Sequence, residues 1–276
     1  MVATVLATAV GLGGYKLYQR VLPYFYGTGC TVEVPAGQAR LTVEQAANAA
    51  TIAAVGMSEG LPRRAVTIAL ATAIQESHLR NLHYGDRDSV GLFQQRPSQG
   101  WGTVEEILDP VYAASQFYEA LVEVDNYLEL PLHVAAQEVQ RSADGTAYAK
   151  HEDKASKLSM ALTGNQPGGL RCWYPPEERA AAQPDDAQDA LRHTFDLQLD
   201  ERSVEVSSTD LGWTVSSWAV AHAREFGIAS VSYAGHTWSH ESGHEGWEPT
   251  GSADGASAHA ATTSSSVRVH YVSQQH

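Results

Sequence analysis

The chain has 276 residues, of which 18 are Lys or Arg and 32 are Asp or Glu, for a formal net charge of −14. That acid excess argues against a nucleic-acid-binding protein, whose phosphate contacts need a basic face. Hydrophobic residues make up 43%, enough to bury a core and to exclude disorder over the whole length.

Val2 to Tyr15 is rich in Ala, Val, Leu and Gly and is followed by Lys16 and Arg20. A bilayer span needs about 20 apolar residues, and here charge interrupts after roughly 14, so a transmembrane helix is marginal. Residues 1–26 are expected to be a membrane anchor or a signal segment, placing the protein in the cell envelope, anchored or secreted. A buried N-terminal helix is the alternative. The absence of a second such run excludes a polytopic transporter. Cys30 and Cys172 are the two cysteines. A sparse even pair in an exported protein is compatible with one disulfide, which would contribute on the order of 4 to 5 kcal/mol by closing so long a loop. Two free thiols are the other reading. Lipid modification of Cys30 is disfavoured, because Gly27-Thr28-Gly29 lacks the expected upstream Leu.

Thr42 to Ser58 reads as a helix, opened by a capping box of Thr42 and Gln45 and followed by Gly60. Pro62 opens the next helix, whose Val66, Leu70, Ala73, Ile74 and Ser77 share one face of a 3.6-residue period. Helices follow from Asp109-Pro110 to Val122, from Leu132 to Arg141, and from Thr146 to Leu162 before Gly164. Leu82 to Thr103 is a loop too long for a connector, and such loops are often functional. Composition then turns to Pro, Gly, Gln and acidic residues, as at Pro175-Pro176 and Gln183-Pro184-Asp185-Asp186, which reads as a linker. Beyond it, a helix from Leu211 to Glu225 capped by Asp210 is predicted. Strands Ile228 to Tyr233 and His236 to Ser239, joined at Ala234-Gly235, and a last strand from Val267 to Val272 follow. Ser252 to Ser266 is Ser/Ala/Gly/Thr-rich. Residues 165–276 hold 6 basic and 15 acidic residues, against 10 and 16 in residues 40–164, so the acidity is concentrated in the linker and tail.

The informative segment is Gln75-Glu76-Ser77-His78-Leu79, followed by Asp86-Arg87-Asp88-Ser89 and Gly91-Leu92-Phe93-Gln94-Gln95. Glu76 borders the buried stripe at the C-terminal end of its helix, where burial and the negative end of the helix dipole disfavour the carboxylate and raise the pKa. A general acid working near neutral pH needs that shift. The competing reading is a solvated helix-end Glu. Gln94 and Gln95 equally suit an internally hydrogen-bonded loop, and Trp101 between glycines either stacks on a sugar ring or plugs its own loop.

Glu-Ser at a helix end with Gly-Leu-Phe-Gln a dozen or so residues on resembles the paired motifs of the lysozyme-like lytic transglycosylases of bacterial cell walls, over roughly Val43 to Gly164. The wider stretch from Asn81 to Thr103 is similar to actinobacterial envelope proteins in which a short N-terminal membrane segment precedes it. The resemblance implies that Glu76 is the single catalytic acid/base and that Ser77 positions polar groups. It further implies that Gly91, Leu92, Phe93 and Gln94 form a wall of the glycan cleft, with Gln94 a hydrogen-bonding candidate; Gln95, Asp86, Asp88 and Trp101 are further candidate substrate-binding residues. The family's later Tyr-Asn-Ala-Gly-type segment has its nearest equivalents at Gln140-Arg141-Ser142-Ala143 and Ala147-Tyr148-Ala149, with Tyr148 the candidate aromatic. If Glu76 acts alone, the product is a 1,6-anhydro sugar. If Asp86 or Asp88 lies across the cleft, water is activated and the reaction is hydrolysis. The run with Arg87 reads equally well as a loop-pinning salt bridge.

His236, His240 and His244 recur every four residues, with His222, His259, His270 and His276 in the same region. The surrounding glycines and serines make a helix there improbable, so the spacing defines no metal site. Residues from Leu211 to Trp238 are similar to a small C-terminal domain of actinobacterial envelope proteins. The expected fold class is thus α+β. It comprises a mainly α lysozyme-like domain over residues 40–164, an acidic Pro/Gly linker over 165–195, and a small α+β accessory domain over 196–276. The expected activity is peptidoglycan glycan-strand cleavage without cofactor or metal. The expected partners are glycan strands and, through the N-terminal segment, a membrane, but no nucleic acid. A catalytically silent envelope-binding protein and a His-rich metal-binding surface protein are the alternatives.

Overall fold

The computed structural model describes residues 27–141, 145–250 and 265–273. Two antiparallel sheets flank a set of helices, an α+β architecture. The N-terminal strands β1 (Gly29–Val34) and β2 (Gly37–Leu41) form a hairpin with Val34 opposite Gly37. Its short strands lie before the first predicted helix and were not expected. Helix α1 (Val43–Ser58) starts at the capping box, with the Thr42 hydroxyl accepting from Gln45 N and the Gln45 side chain accepting from Thr42 N. Ala46, Ala49, Ala50, Ile52, Ala53, Ala54 and Val55 are all buried, so the helix is apolar nearly all round. It therefore runs through the middle of the fold. At Gly56 a Cβ would stand 2.8 Å from the Tyr118 ring, whose hydroxyl donates to the Ile52 carbonyl at 2.9 Å.

Helix α2 (Arg63–Ser77) follows, with Pro62 one position earlier than expected, at the N-cap. Helix α3 (Val104–Ile107) is capped by Thr103 and Glu106, and α4 (Pro110–Val122) by the Asp109 carboxylate, which accepts from Val111 N at 2.9 Å. Next comes α5 (Leu132–Gln140). The helix expected over residues 146–162 is two pieces: a 3-10 run, Gly145–His151, and then α6 (Glu152–Leu162).

The stretch expected as an acidic linker over 165–195 is structured. Strand β3 (Leu170–Trp173) pairs with β1, placing Cys172 opposite Cys30, and the two form a disulfide with Cα atoms 4.0 Å apart. Helix α7 (Pro184–Phe195) buries Ala187, Leu191, Thr194 and Phe195 and exposes Asp185, Asp186 and Asp189. The Pro and Asp residues that suggested a linker are helix-start signals, a proline at the first position and acids in the first turn. His193 on α7 meets the Asp109 carboxylate at 2.7 Å, tying this helix to the cap of α4.

Strand β4 (Ser203–Glu205) is followed by α8 (Thr209–Ala221), capped by Ser208 rather than Asp210, and by a short α9 (Ala223–Phe226). One continuous helix to Glu225 was expected. Strands β5 (Ile228–Tyr233), β6 (His236–Ser239), β7 (Trp247–Pro249) and β8 (Ser266–Tyr271) complete a five-stranded sheet of order β4-β8-β5-β6-β7. The C-terminal residues do not form a detached accessory domain. A single hydrophobic cluster runs from Cys30 through α1 and α2 to Trp213, Trp218 and Val269. Across the junction, the Thr51 hydroxyl on α1 meets His222 Nε2 at 3.2 Å.

The expectation of a transmembrane helix is corrected: among the described residues no helix is long and apolar enough to cross a membrane. Val2 to Tyr15, Ser142-Ala143, most of Ser252 to Ser266, His259 and His276 lie outside the described residues.

Candidate functional site

The last turn of α2 carries Gln75, Glu76 and Ser77, and the chain then reverses through two left-handed residues, His78 (φ 55°) and Leu79 (φ 61°). Left-handed backbone is uncommon for a bulky residue such as Leu. Two amides from α1 hold the reversal: Gln45 Nε2 donates to the His78 carbonyl at 2.9 Å, and Asn48 Nδ2 to the Leu79 carbonyl at 2.8 Å. Sequence reasoning assigned Gln45 only a capping role and overlooked Asn48. A lone buried Asn among alanines was the available signal.

Ser77 joins this turn to the loop. Its hydroxyl lies 2.6 Å from the Leu92 carbonyl and 3.0 Å from that of Ala73. The loop itself folds back on two bridges, Leu82 to Gly91 and Val90 to Gln95. Gly91 has φ 78°, and a Cβ there would stand 2.7 Å from the Ile107 carbonyl oxygen. Leu92 and Phe93 are buried, with Phe93 stacked on Phe117 at 4.7 Å. Gln94, at φ 50°, turns its amide back to the Tyr84 and Gly91 carbonyls at 3.3 Å each. Gln95 is buried and donates to the Ala113 carbonyl at 3.1 Å. Within Gly91 to Gln95, Leu92, Phe93 and Gln95 therefore build the scaffold, and Gln94 alone remains partly accessible.

Glu76 is half-buried, and the Tyr148 hydroxyl donates to its Oε1 at 2.5 Å. Burial raises the carboxyl above the ordinary Glu value, while the tyrosine bond pulls it part of the way back. Tyr148 is itself 1% exposed, on the 3-10 run that replaces the expected helical turn. Three residues on, His151 Nε2 meets Gln75 Oε1 at 3.0 Å.

The two aspartates differ. Asp88 accepts from Arg96 Nε and from Ser98 N, both at 2.8 Å, and these bonds hold its carboxyl well below the usual range. It pins the loop. Asp86 has a side chain 91% exposed beside Arg87 at 3.9 Å. Trp101 is half-buried and lines a cleft of about 1030 Å³ together with Val134, Glu138, Gln140 and Arg141. Glu76 is not among the walls of that cleft. The link between the two is Gln140, whose Nε2 donates to the Phe93 carbonyl at 2.8 Å. The structure thus brings Glu76, Ser77, Leu92 and Tyr148 together, and places Trp101 on a neighbouring surface.

The C-terminal histidines serve separate local contacts. His240 bonds the Ala229 carbonyl at 2.9 Å, His236 that of Ala234 at 3.1 Å, and His222 bridges Thr51 and Glu225. Among the described residues no group of three or more His, Cys, Asp or Glu side chains is placed to hold a metal ion.

Residues 193–261 match a family model described as VldE, C-terminal domain. The match runs from the end of α7 through β7, wholly after Glu76 and Tyr148. A search of curated proteins finds no match to the chain.

Proposed function

We propose that the protein cleaves peptidoglycan glycan strands, with Glu76 as the single acid/base. The observation that carries this reading is the half-buried Glu76 carboxyl bonded to Tyr148 at 2.5 Å, its pKa raised by desolvation. A carboxyl that keeps its proton toward neutral pH can deliver it to the glycosidic oxygen of the leaving sugar. As the bond from C1 to that oxygen breaks, the muramic 6-hydroxyl attacks C1 and gives its proton to the Glu76 carboxylate. The product is a 1,6-anhydro sugar, and Glu76 is returned to its starting state. Tyr148 keeps one carboxyl oxygen oriented through the cycle.

The state of the two aspartates favours this route over hydrolysis. A hydrolase places a second carboxylate to activate water or attack the sugar. Asp88 is committed to Arg96 and Ser98, and Asp86 projects into solvent. The test is release of soluble fragments from dye-labelled peptidoglycan by the full chain. Wild type should release dye, Glu76→Gln should lose about 100-fold or more of the rate, as expected for a missing general acid, and Asp86→Asn should stay near wild type. Equal release by wild type and Glu76→Gln would refute the assignment. Binding to the glycan without release would instead identify a silent envelope-binding protein.

A further inference from the structure

We propose that His151, through its bond to Gln75, is a positioning residue that holds the Tyr148 hydroxyl on the Glu76 carboxyl. The inference rests on Glu76 being the acid/base, and it adds a residue that neither motif contains.

The argument begins with the 3-10 run, Gly145–His151. With three residues per turn, positions i and i+3 lie on one side. Tyr148 and His151 stand at that spacing, and both meet the last turn of α2, at consecutive residues: Tyr148 at Glu76 and His151 at Gln75. The run therefore bonds the last turn of α2 at two points. Between them, Ala149 and Lys150 are exposed and add no buried anchor.

The place of His151 sharpens the point. It is the N-cap of α6, a position favouring Ser, Thr, Asp or Asn, whose oxygens accept from the helix N–H groups. His151 makes no such capping bond. Its ring is turned to Gln75 instead, so helix initiation does not explain it. Burial, with Lys150 on the same run, Lys154 on α6 and His78 at the end of α2, pushes the ring below the ordinary His value. The neutral Nε2–H tautomer donates to Gln75 Oε1 without adding charge beside Glu76.

The test is NMR titration of the Glu76 carboxyl in the full-length protein labelled with 13C at Glu, with folding checked by circular dichroism. Tyr148→Phe should raise the midpoint by about 1 to 2 pH units, the scale of one hydrogen bond to a charged group. His151→Ala should raise it by about half a unit or more. The double variant should match Tyr148→Phe alone, because both act through the same hydroxyl. His151→Gln, whose amide can donate to Gln75, should restore the wild-type midpoint. Where His151→Ala fails to fold, Gln75→Leu breaks the same bond from the other side and should give the same shift. An unchanged midpoint in the folded variants, or additive shifts in the double variant, overturns the proposal. The titration needs no substrate. The predicted shifts in a protein that cleaves no glycan would refute the proposed function and leave the positioning role standing, whereas cleavage without the shifts would do the reverse.

Discussion

Replacing Ser77 by Ala isolates the joint between the Glu76 helix and the loop. Ser77 is 3% exposed, and its hydroxyl is 2.6 Å from the carbonyl of Leu92, a residue with no exposed surface. Of the groups around the hydroxyl, the Arg80 N–H keeps the Ser77 carbonyl and the Ala73 carbonyl keeps the Leu79 N–H. The Leu92 carbonyl loses its bond. Leaving a buried acceptor without its partner costs about 1 to 3 kcal/mol, and freeing Leu92-Phe93 from α2 should also lower turnover, by up to about 100-fold for a displacement near 1 Å. Urea denaturation at pH 7 reads the first quantity and dye release the second. Thr72→Val is the control: Thr72 is equally buried, but among the described residues its hydroxyl bonds only the Ile68 carbonyl one turn back, so the loss should stay within about 1 kcal/mol. A Ser77→Ala protein within about 0.5 kcal/mol of wild type, with normal turnover, would refute the assignment of Ser77 as the joint.

Four further outcomes follow from the same contacts. Because Glu76 holds its proton to higher pH in the folded state than in the unfolded one, its contribution to stability is present below the ordinary carboxylate pKa and lost as pH rises through the folded value. Glu76→Gln, which cannot ionise, should therefore melt above wild type at neutral pH, the gap closing on acidification. Asp88 has the opposite sign: its depressed carboxyl stabilises above the ordinary value and the effect is lost as pH falls below it, so the deficit of Asp88→Asn should be full at pH 7 and shrink in acid. Removing the Cys30–Cys172 bond, which spans 142 residues, by a double Ala substitution should cost about 5 kcal/mol in urea titration by the chain-entropy relation. Gly91→Ala should cost about 2 to 3 kcal/mol by thermal melting, from a left-handed backbone and a Cβ 2.7 Å from the Ile107 carbonyl oxygen.

What was legible in the sequence was local chemistry. The Thr42–Gln45 box, the Asp109-Pro110 start and the Ala234-Gly235 turn between β5 and β6 lie where their residue types place them. Tyr148 is a candidate through the resemblance alone, and its hydroxyl donates to the Glu76 carboxyl. The failures share a cause, the weight given to composition over spacing. Residues 184–195 are rich in Pro and Asp, yet Ala187, Leu191 and Phe195 recur at four-residue intervals and form a buried stripe. The separate C-terminal domain failed for a related reason: an apolar helix such as α1 needs cover on more than one face, and α8 supplies part of it. Partnerships between distant side chains were not legible, because no local pattern records that Gln45 and Asn48 would hold the His78-Leu79 reversal, or that Gln75 would meet His151.

The most direct test of the account is digestion of purified peptidoglycan in water enriched in 18O, followed by mass analysis of the soluble fragments. The account predicts fragments ending in 1,6-anhydromuramic residues, one water lighter than hydrolysis products and free of 18O, and their loss in Glu76→Gln. Reducing-end fragments carrying 18O would contradict it, by showing that water, and not the muramic 6-hydroxyl, attacks the sugar that Glu76 helps to release.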